Sequence, residues 1–87
     1  MRPYSQVKTK RATMRWFSDD VDSSELKWHR DARDRSVRVI DGSGWKLQMD
    51  DGLPQELAVD STHFIPKNEW HRLHMGKGTL VLEIIES

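Results

Sequence analysis

The chain contains no cysteine, and several other features are also absent. Without cysteine there is no disulfide framework and no thiolate metal site, which fits a cytoplasmic location. Lysine plus arginine number 14, as do aspartate plus glutamate, so the formal net charge is zero. That balance gives no bulk electrostatic reason to bind nucleic acid or a membrane surface. No apolar run approaches the roughly 18 residues of a transmembrane helix, and none follows the N-terminus as a signal peptide requires.

A length of 87 residues predicts one small domain. Small domains bury a low fraction of their surface, so their stability is marginal. An interface with a second copy would add to this stability, and we therefore expect a homodimer.

Charge is unevenly distributed near the N-terminus. Residues 1–18 carry five basic and no acidic side chains, whereas residues 19–25 carry four acidic and no basic ones. A basic arm that binds nucleic acid is one interpretation. We favour the alternative, in which the two segments lie near each other and neutralise. Nucleic acid is therefore not the partner we expect.

Strand signals outweigh helix signals throughout the chain. Apolar residues alternate with polar ones at Val37 and Val39 and over residues 45–49 and 80–84, as expected for strands with one buried face. Turn signals separate these runs, among them Asp41–Gly44, which we interpret as a hairpin turn. Many short strands of this kind are typical of an all-β sandwich or barrel.

The N-terminal part is the least regular. We expect residues 1–25 to form an arm or edge strand, with residues 9–17 as the candidate strand, and residues 26–87 to form a β-barrel. The two parts together make one domain.

Two short segments could build a metal site. His29 and Asp31 are two residues apart, so on a strand their side chains lie on the same face. His71 follows the turn signal Pro66–Glu69, where a neighbouring strand would begin. Two imidazoles and one carboxylate on one face of an ion leave positions open for water or substrate, an arrangement that favours Fe(II).

These segments resemble the two sequence motifs of the cupin superfamily. The first motif is G-x5-H-x-H-x3-E-x6-G, onto which His29, Asp31 and Gly42 align, with Ser23 at the opening glycine and Arg35 at the glutamate.

The second motif is G-x5-P-x-G-x2-H-x3-N. Pro66 and His71 match it, while Asp60, Asn68 and Met75 stand at the opening glycine, the inner glycine and the final asparagine. Asparagine tolerates the left-handed conformation better than most residues. The resemblance extends from about residue 26 to residue 86.

The resemblance implies a small single-domain jelly-roll β-barrel with a pocket around His29, Asp31 and His71. It also implies a divalent metal, namely iron, manganese, nickel or zinc, and an enzyme such as an oxygenase, lyase or isomerase acting on a small polar molecule. No general base is identifiable in the sequence. The alternatives are a pocket that has lost its ion and a non-catalytic module that binds a small molecule or anion.

Two further residues are candidates for ligand binding. Arg35 would oppose a metal ion if it pointed inward, but its guanidinium suits an anionic substrate group. Alternatively the register slips by one, so that Asp34 takes the acidic place and Arg35 faces solvent. Gln48 could line the pocket or simply meet solvent.

Overall fold

The computed structural model describes residues 4–19 and 24–86, and these form two facing antiparallel sheets. The strands are β1 (Tyr4–Lys8), β2 (Thr13–Phe17), β3 (Arg35–Ser43), β4 (Lys46–Met49), β5 (Gln55–Glu56), β6 (Thr62–Ile65), β7 (His71–His74) and β8 (Lys77–Glu86). A single 3-10 turn, Ser24–Leu26, is the only helical element in the described ranges. None of these elements is a helix long and apolar enough to cross a membrane.

The larger sheet has the strand order β1-β2-β8-β3-β6 and the smaller one β5-β4-β7. The predicted all-β jelly-roll is therefore confirmed, although within the described ranges the strands form two sheets and not one closed barrel. The predicted strand over residues 9–17 is found at Thr13–Phe17, between β1 and β8, so β1 is the edge strand. The division of the chain after residue 25 stays a prediction.

The predicted hairpin turn at Asp41–Gly44 is wrong. Strand β3 pairs with β6 and β8, whereas β4 pairs with β5 and β7, so this segment carries the chain from one sheet to the other. Gly76 packs against the corner, and a Cβ there would collide with the Ser43 carbonyl oxygen and the Trp45 amide nitrogen.

The core lies between the sheets. The alternation read from the sequence is present: Val37 and Val39 on β3 and Leu80, Leu82 and Ile84 on β8 are all buried. They pack against residues of the smaller sheet and its loops, including Trp45, Leu47 and Leu73.

Polar side chains replace apolar ones toward one end of this core. Arg15 is buried two residues before Phe17, His71 is buried two before Leu73, and Arg35 lies two before Val37. Period-two spacing places each on the inward face of its strand. The candidate site is built at this end.

Candidate metal centre

The two histidines lie side by side across a short seam between the segment before β3 and strand β7. His29 and His71 form an isolated antiparallel bridge. The main-chain N–H of each donates to the carbonyl oxygen of the other, at 3.0 and 2.8 Å. Their rings meet edge to face with centroids 4.4 Å apart, and His71 is only 3% exposed.

Asp31 joins them from two residues after His29. Its carbonyl oxygen accepts a 2.7 Å hydrogen bond from the main-chain N–H of Asn68, which fixes it to the turn before β7. Asn68 has φ 62°, the left-handed conformation that asparagine tolerates. The potential ligand atoms of His29, Asp31 and His71 all lie within 4.8 Å of one another.

Backbone carbonyls orient both imidazole rings. His29 Nδ1 lies 2.7 Å from the Lys27 carbonyl oxygen, and His71 Nδ1 lies 2.8 Å from that of Glu69. A carbonyl can only accept, so each Nδ1 carries the proton and donates it. Metal-binding histidines usually donate their second ring N–H to a carbonyl or carboxylate in this way. The Nε2 atoms are left as the ligand atoms.

Each Nε2 atom faces a carboxylate. His71 Nε2 lies 3.1 Å from Asp31 Oδ2, and His29 Nε2 lies 2.6 Å from Oε2 of Glu25. His29 Nε2 and Asp31 Oδ2 are buried, and none of their contacts has full hydrogen-bond geometry. Buried polar atoms without well-formed hydrogen bonds are costly, and a cation bound between them would stabilise both. Imidazole nitrogen and carboxylate oxygen are ligands that iron, manganese and zinc accept, so these residues fit a divalent ion.

The electrostatics of the site favour charged carboxylates. Burial raises the pKa of Asp31, but the contact with His71 and the charge of Arg35 outweigh it and hold that pKa below its usual value. Burial likewise raises the pKa of Glu25, but His29 and Arg15 together lower it. Burial lowers the pKa of His29, yet its contacts with Glu25 and the Lys27 carbonyl give a net rise.

Two guanidinium groups adjoin the carboxylates. Arg35 Nη1 lies 3.3 Å from Asp31 Oδ2, and its Nε donates to Glu86 Oε2 at 2.9 Å. Arg15 Nη1 lies 3.7 Å from Glu25 Oε1. Each carboxylate is therefore shared between one histidine and one arginine.

A small cavity adjoins the site. Apolar side chains from both sheets form most of its lining, and Arg15, Glu25, Arg35 and His71 are its polar members. The cavity is small, with room for about two water molecules. A larger organic ligand would need the cavity to open.

Solved structures share this arrangement of strands. A cupin-2 domain protein from Shewanella frigidimarina matches with a TM-score of 0.67 and 22% identity, over 99% of this chain and 82% of that one. A cupin domain from Bordetella pertussis matches with a TM-score of 0.64 and 19% identity, over 100% and 97%. The chain has the cupin fold.

Other comparisons set the limits of that likeness. The structure of FeII HppE matches with a TM-score of 0.67 and 21% identity, over 97% of this chain but only 48% of that one. No protein-family model matches the chain, and no curated protein sequence matches it. At these identities the likeness establishes the cupin fold alone.

Within this cupin fold, the sequence reasoning did not identify Glu25 and Arg15. Glu25 was assigned to an arm outside the barrel, and Arg15 to a basic stretch. Arg15 lies two residues before the apolar Phe17, and this spacing was the signal that the Arg15 side chain faces inward. For Glu25 there was only its position four residues before His29, which is not diagnostic in a β protein.

The structure also shows where the other candidate residues lie. Arg35 faces the cavity, whereas Asp34 Oδ1 accepts a hydrogen bond from the Lys67 N–H at 2.8 Å, so the slipped register does not occur. Gln48 contacts Arg72 and His74 through its Oε1, on the face of the small sheet turned away from the cavity. We therefore give Gln48 no part in the proposed site.

Two tryptophans flank the seam on that outer face. Trp28 is 39% exposed and Trp70 is 43% exposed. The Arg72 guanidinium lies 4.7 Å from the Trp28 ring centroid, and that of Arg30 lies 5.1 Å from the Trp70 centroid. Both rings point away from the site, and each forms a cation–π contact across the seam.

Proposed function

We propose that this cupin-fold protein binds one divalent transition-metal ion through His29, Asp31 and His71. The observation that carries the proposal is the pair of imidazoles, each of which directs Nδ1 to a backbone carbonyl and presents Nε2 to a carboxylate, while His29 Nε2 and Asp31 Oδ2 are buried without a well-formed hydrogen bond. A metal ion bound through cysteine thiolates is not expected, because the chain has no cysteine.

The balance of charge supports a cation here. With neutral histidines, three carboxylates (Glu25, Asp31 and Glu86) adjoin two guanidiniums (Arg15 and Arg35). The excess is one negative charge, and because Glu86 is exposed, that excess lies at the rim of the site. A divalent ion reverses the excess to one positive charge, which favours an anionic group as a further ligand.

We further propose that the bound ion serves an enzyme acting on a small polar or anionic molecule, by oxygenase, lyase or isomerase chemistry. When bound, the ion would supply Lewis acidity or redox chemistry beside a largely apolar cavity. Arg35 would orient an anionic substrate group with its guanidinium, after exchanging its contact with Glu86 or Asp31. The substrate would enter by opening the cavity, whose present size admits only water-sized molecules.

The test is elemental analysis of the untagged full chain purified without chelator, beside His71→Ala and His74→Ala. The control residue lies on the same strand but contacts Gln48 on the outer face. Metal near one equivalent in the wild type and in His74→Ala, with loss in His71→Ala, is the expected result. Protein that stays metal-free after reconstitution with iron, manganese, nickel and zinc would refute the proposal.

A second candidate is a non-catalytic module that binds an anion, favoured by the inward position of Arg35. Thermal unfolding with a panel of metals and organic anions separates the two, because a ligand of the native state raises the melting temperature. A rise with anions and none with metals would favour this candidate. A cytoplasmic homodimer remains our expectation from the sequence.

A further inference from the structure

Glu25 presents its carboxylate to the ring nitrogen that the proposed ion would use. It lies in the 3-10 turn Ser24–Leu26, and its Oε2 is 2.6 Å from His29 Nε2. The side chain is only 17% exposed, and it lines the cavity. Nothing in the cupin motifs assigns a ligand at this position, four residues before the first histidine.

A neutral His29 cannot make this contact favourable by itself. Its Nδ1 donates to the Lys27 carbonyl, so an uncharged ring has only a lone pair at Nε2, and a carboxylate oxygen also presents lone pairs. A cation must therefore be shared between the two atoms. That cation is either a proton on Nε2 or a metal ion that both atoms bind.

Neighbouring residues hold Glu25 near the site. Arg15 lies 3.7 Å from its carboxylate, and Gln6 Oε1 accepts hydrogen bonds from Arg15 Nε and Nη2 at 3.2 and 3.0 Å. These contacts run from β1 through β2 to the 3-10 turn. The hairpin of β1 and β2 is thereby connected to a residue that contacts His29.

We propose that Glu25 is a fourth protein ligand of the ion, an inference that rests on the proposed function. Arg35 stands at the position of the motif glutamate, and Glu25 would supply a second carboxylate beside His29. It is outside the group of three whose ligand atoms lie within 4.8 Å of one another. Binding by all four residues therefore requires the Glu25 carboxylate to move closer to Asp31 and His71.

The resulting ligand set is two nitrogens and two carboxylate oxygens. Two carboxylates balance the charge of a divalent ion, and both remain beside an arginine. A set without sulfur suits iron, manganese or zinc. Strands β1 and β2 would then support a metal ligand through the contacts of Gln6 and Arg15 with Glu25.

The test uses cobalt(II) and copper(II) as probes of the full chain, with Glu25→Gln and the control Glu56→Gln. Glu56 is exposed on β5, and the control removes the same charge. We expect Glu25→Gln to weaken cobalt(II) binding at least tenfold and to change the cobalt absorption spectrum, with Glu56→Gln unaltered. Wild-type protein that binds neither probe would refute the proposed function itself. Wild-type binding with an unchanged affinity and spectrum in Glu25→Gln would overturn only the role of Glu25.

A lost contact around the ligands can weaken metal binding by about 10–100-fold without any change of ligand, so a second variant identifies direct coordination. Copper(II) in Glu25→His should show three coupled nitrogens by electron paramagnetic resonance, against two in the wild type. Two nitrogens in both would mean that Glu25 only orients His29. If either variant fails to fold, as judged by circular dichroism, Glu25→Asp keeps the charge and shortens the reach. An unchanged cobalt spectrum in Glu25→Asp would count against direct binding.

Discussion

If the proposed metal ion binds, replacing Asp31 with asparagine should remove the stabilisation that the ion would give this protein. The substitution keeps the shape of the side chain but removes the charge that faces His71 and Arg35 at 3.1 and 3.3 Å. The matched control is Asp34→Asn. That change is equally isosteric, but Asp34 contacts the Lys67 N–H and not the histidines.

The expected size follows from mass action and from the geometry of the pair. With metal at about 100 times Kd, the wild type gains about 2.7 kcal/mol, which for a domain of this size raises Tm by about 10–20 °C. If Asp31→Asn weakens binding about 100-fold, the same metal concentration adds only about 0.4 kcal/mol. Without metal the variant should lose about 1–2 kcal/mol, below the full value for a buried pair because Asp31 and Arg35 are partly exposed.

The assay is thermal unfolding of wild type, Asp31→Asn and Asp34→Asn with zinc or cobalt and with chelator. Wild type and Asp34→Asn should show the full metal-dependent rise, and Asp31→Asn almost none. An equal rise in all three proteins would show that the metal binds elsewhere, and the site reasoning would be refuted.

Four other predictions concern stability and affinity. Urea unfolding of the metal-free protein should show stability falling as pH drops below about 4, because Glu25 and Asp31 have lowered pKa values and lose their contribution as they protonate. The raised pKa of His29 has the opposite effect on stability. Its contribution to the free energy of unfolding is complete below pH 6.5 and is lost as pH rises through the pKa of the folded state. His29→Asn should therefore reduce the loss of stability at higher pH. Arg35→Gln should tighten metal binding about tenfold by calorimetry, because a neutral group no longer repels the ion or competes for Asp31; weaker binding would mean that Arg35 chiefly orients the carboxylate. Gly76→Ala should cost about 1–3 kcal/mol in urea unfolding, since its Cβ meets backbone atoms at the sheet corner, and an unchanged midpoint would contradict that packing.

The strand faces could be predicted because alternation depends only on local spacing. Alternation of Val37 and Val39 indicated the inward face of β3, whereas the orientation of Arg35 stayed open between the pocket and solvent. The pairing of β3 could not be predicted in this way. Its partners β6 and β8 are distant in sequence, and the Asp-Gly-Ser-Gly signal is compatible with a hairpin or with a change of sheet.

The site residues show the same difference between what local spacing predicts and what it does not. His29 and Asp31 are linked by a two-residue spacing, and the motif resemblance supplied His71. Glu25 approaches His29 only through an irregular 3-10 turn, whose side-chain directions no repeating pattern encodes. Gln48 was a candidate because of its strand alone, and alternation with buried Leu47 puts it on the outer face.

An ion bound across the seam between His29 and His71 would lower the conformational entropy of the unfolded chain. Two backbone hydrogen bonds and two arginine–tryptophan contacts join these segments, which are separated by about forty residues of sequence. An ion bound to both histidines would close that long loop as a removable cross-link, and cross-links over long loops restrict the unfolded chain most. A chain with no cysteine could thereby gain from a metal the kind of constraint that other small domains obtain from a disulfide.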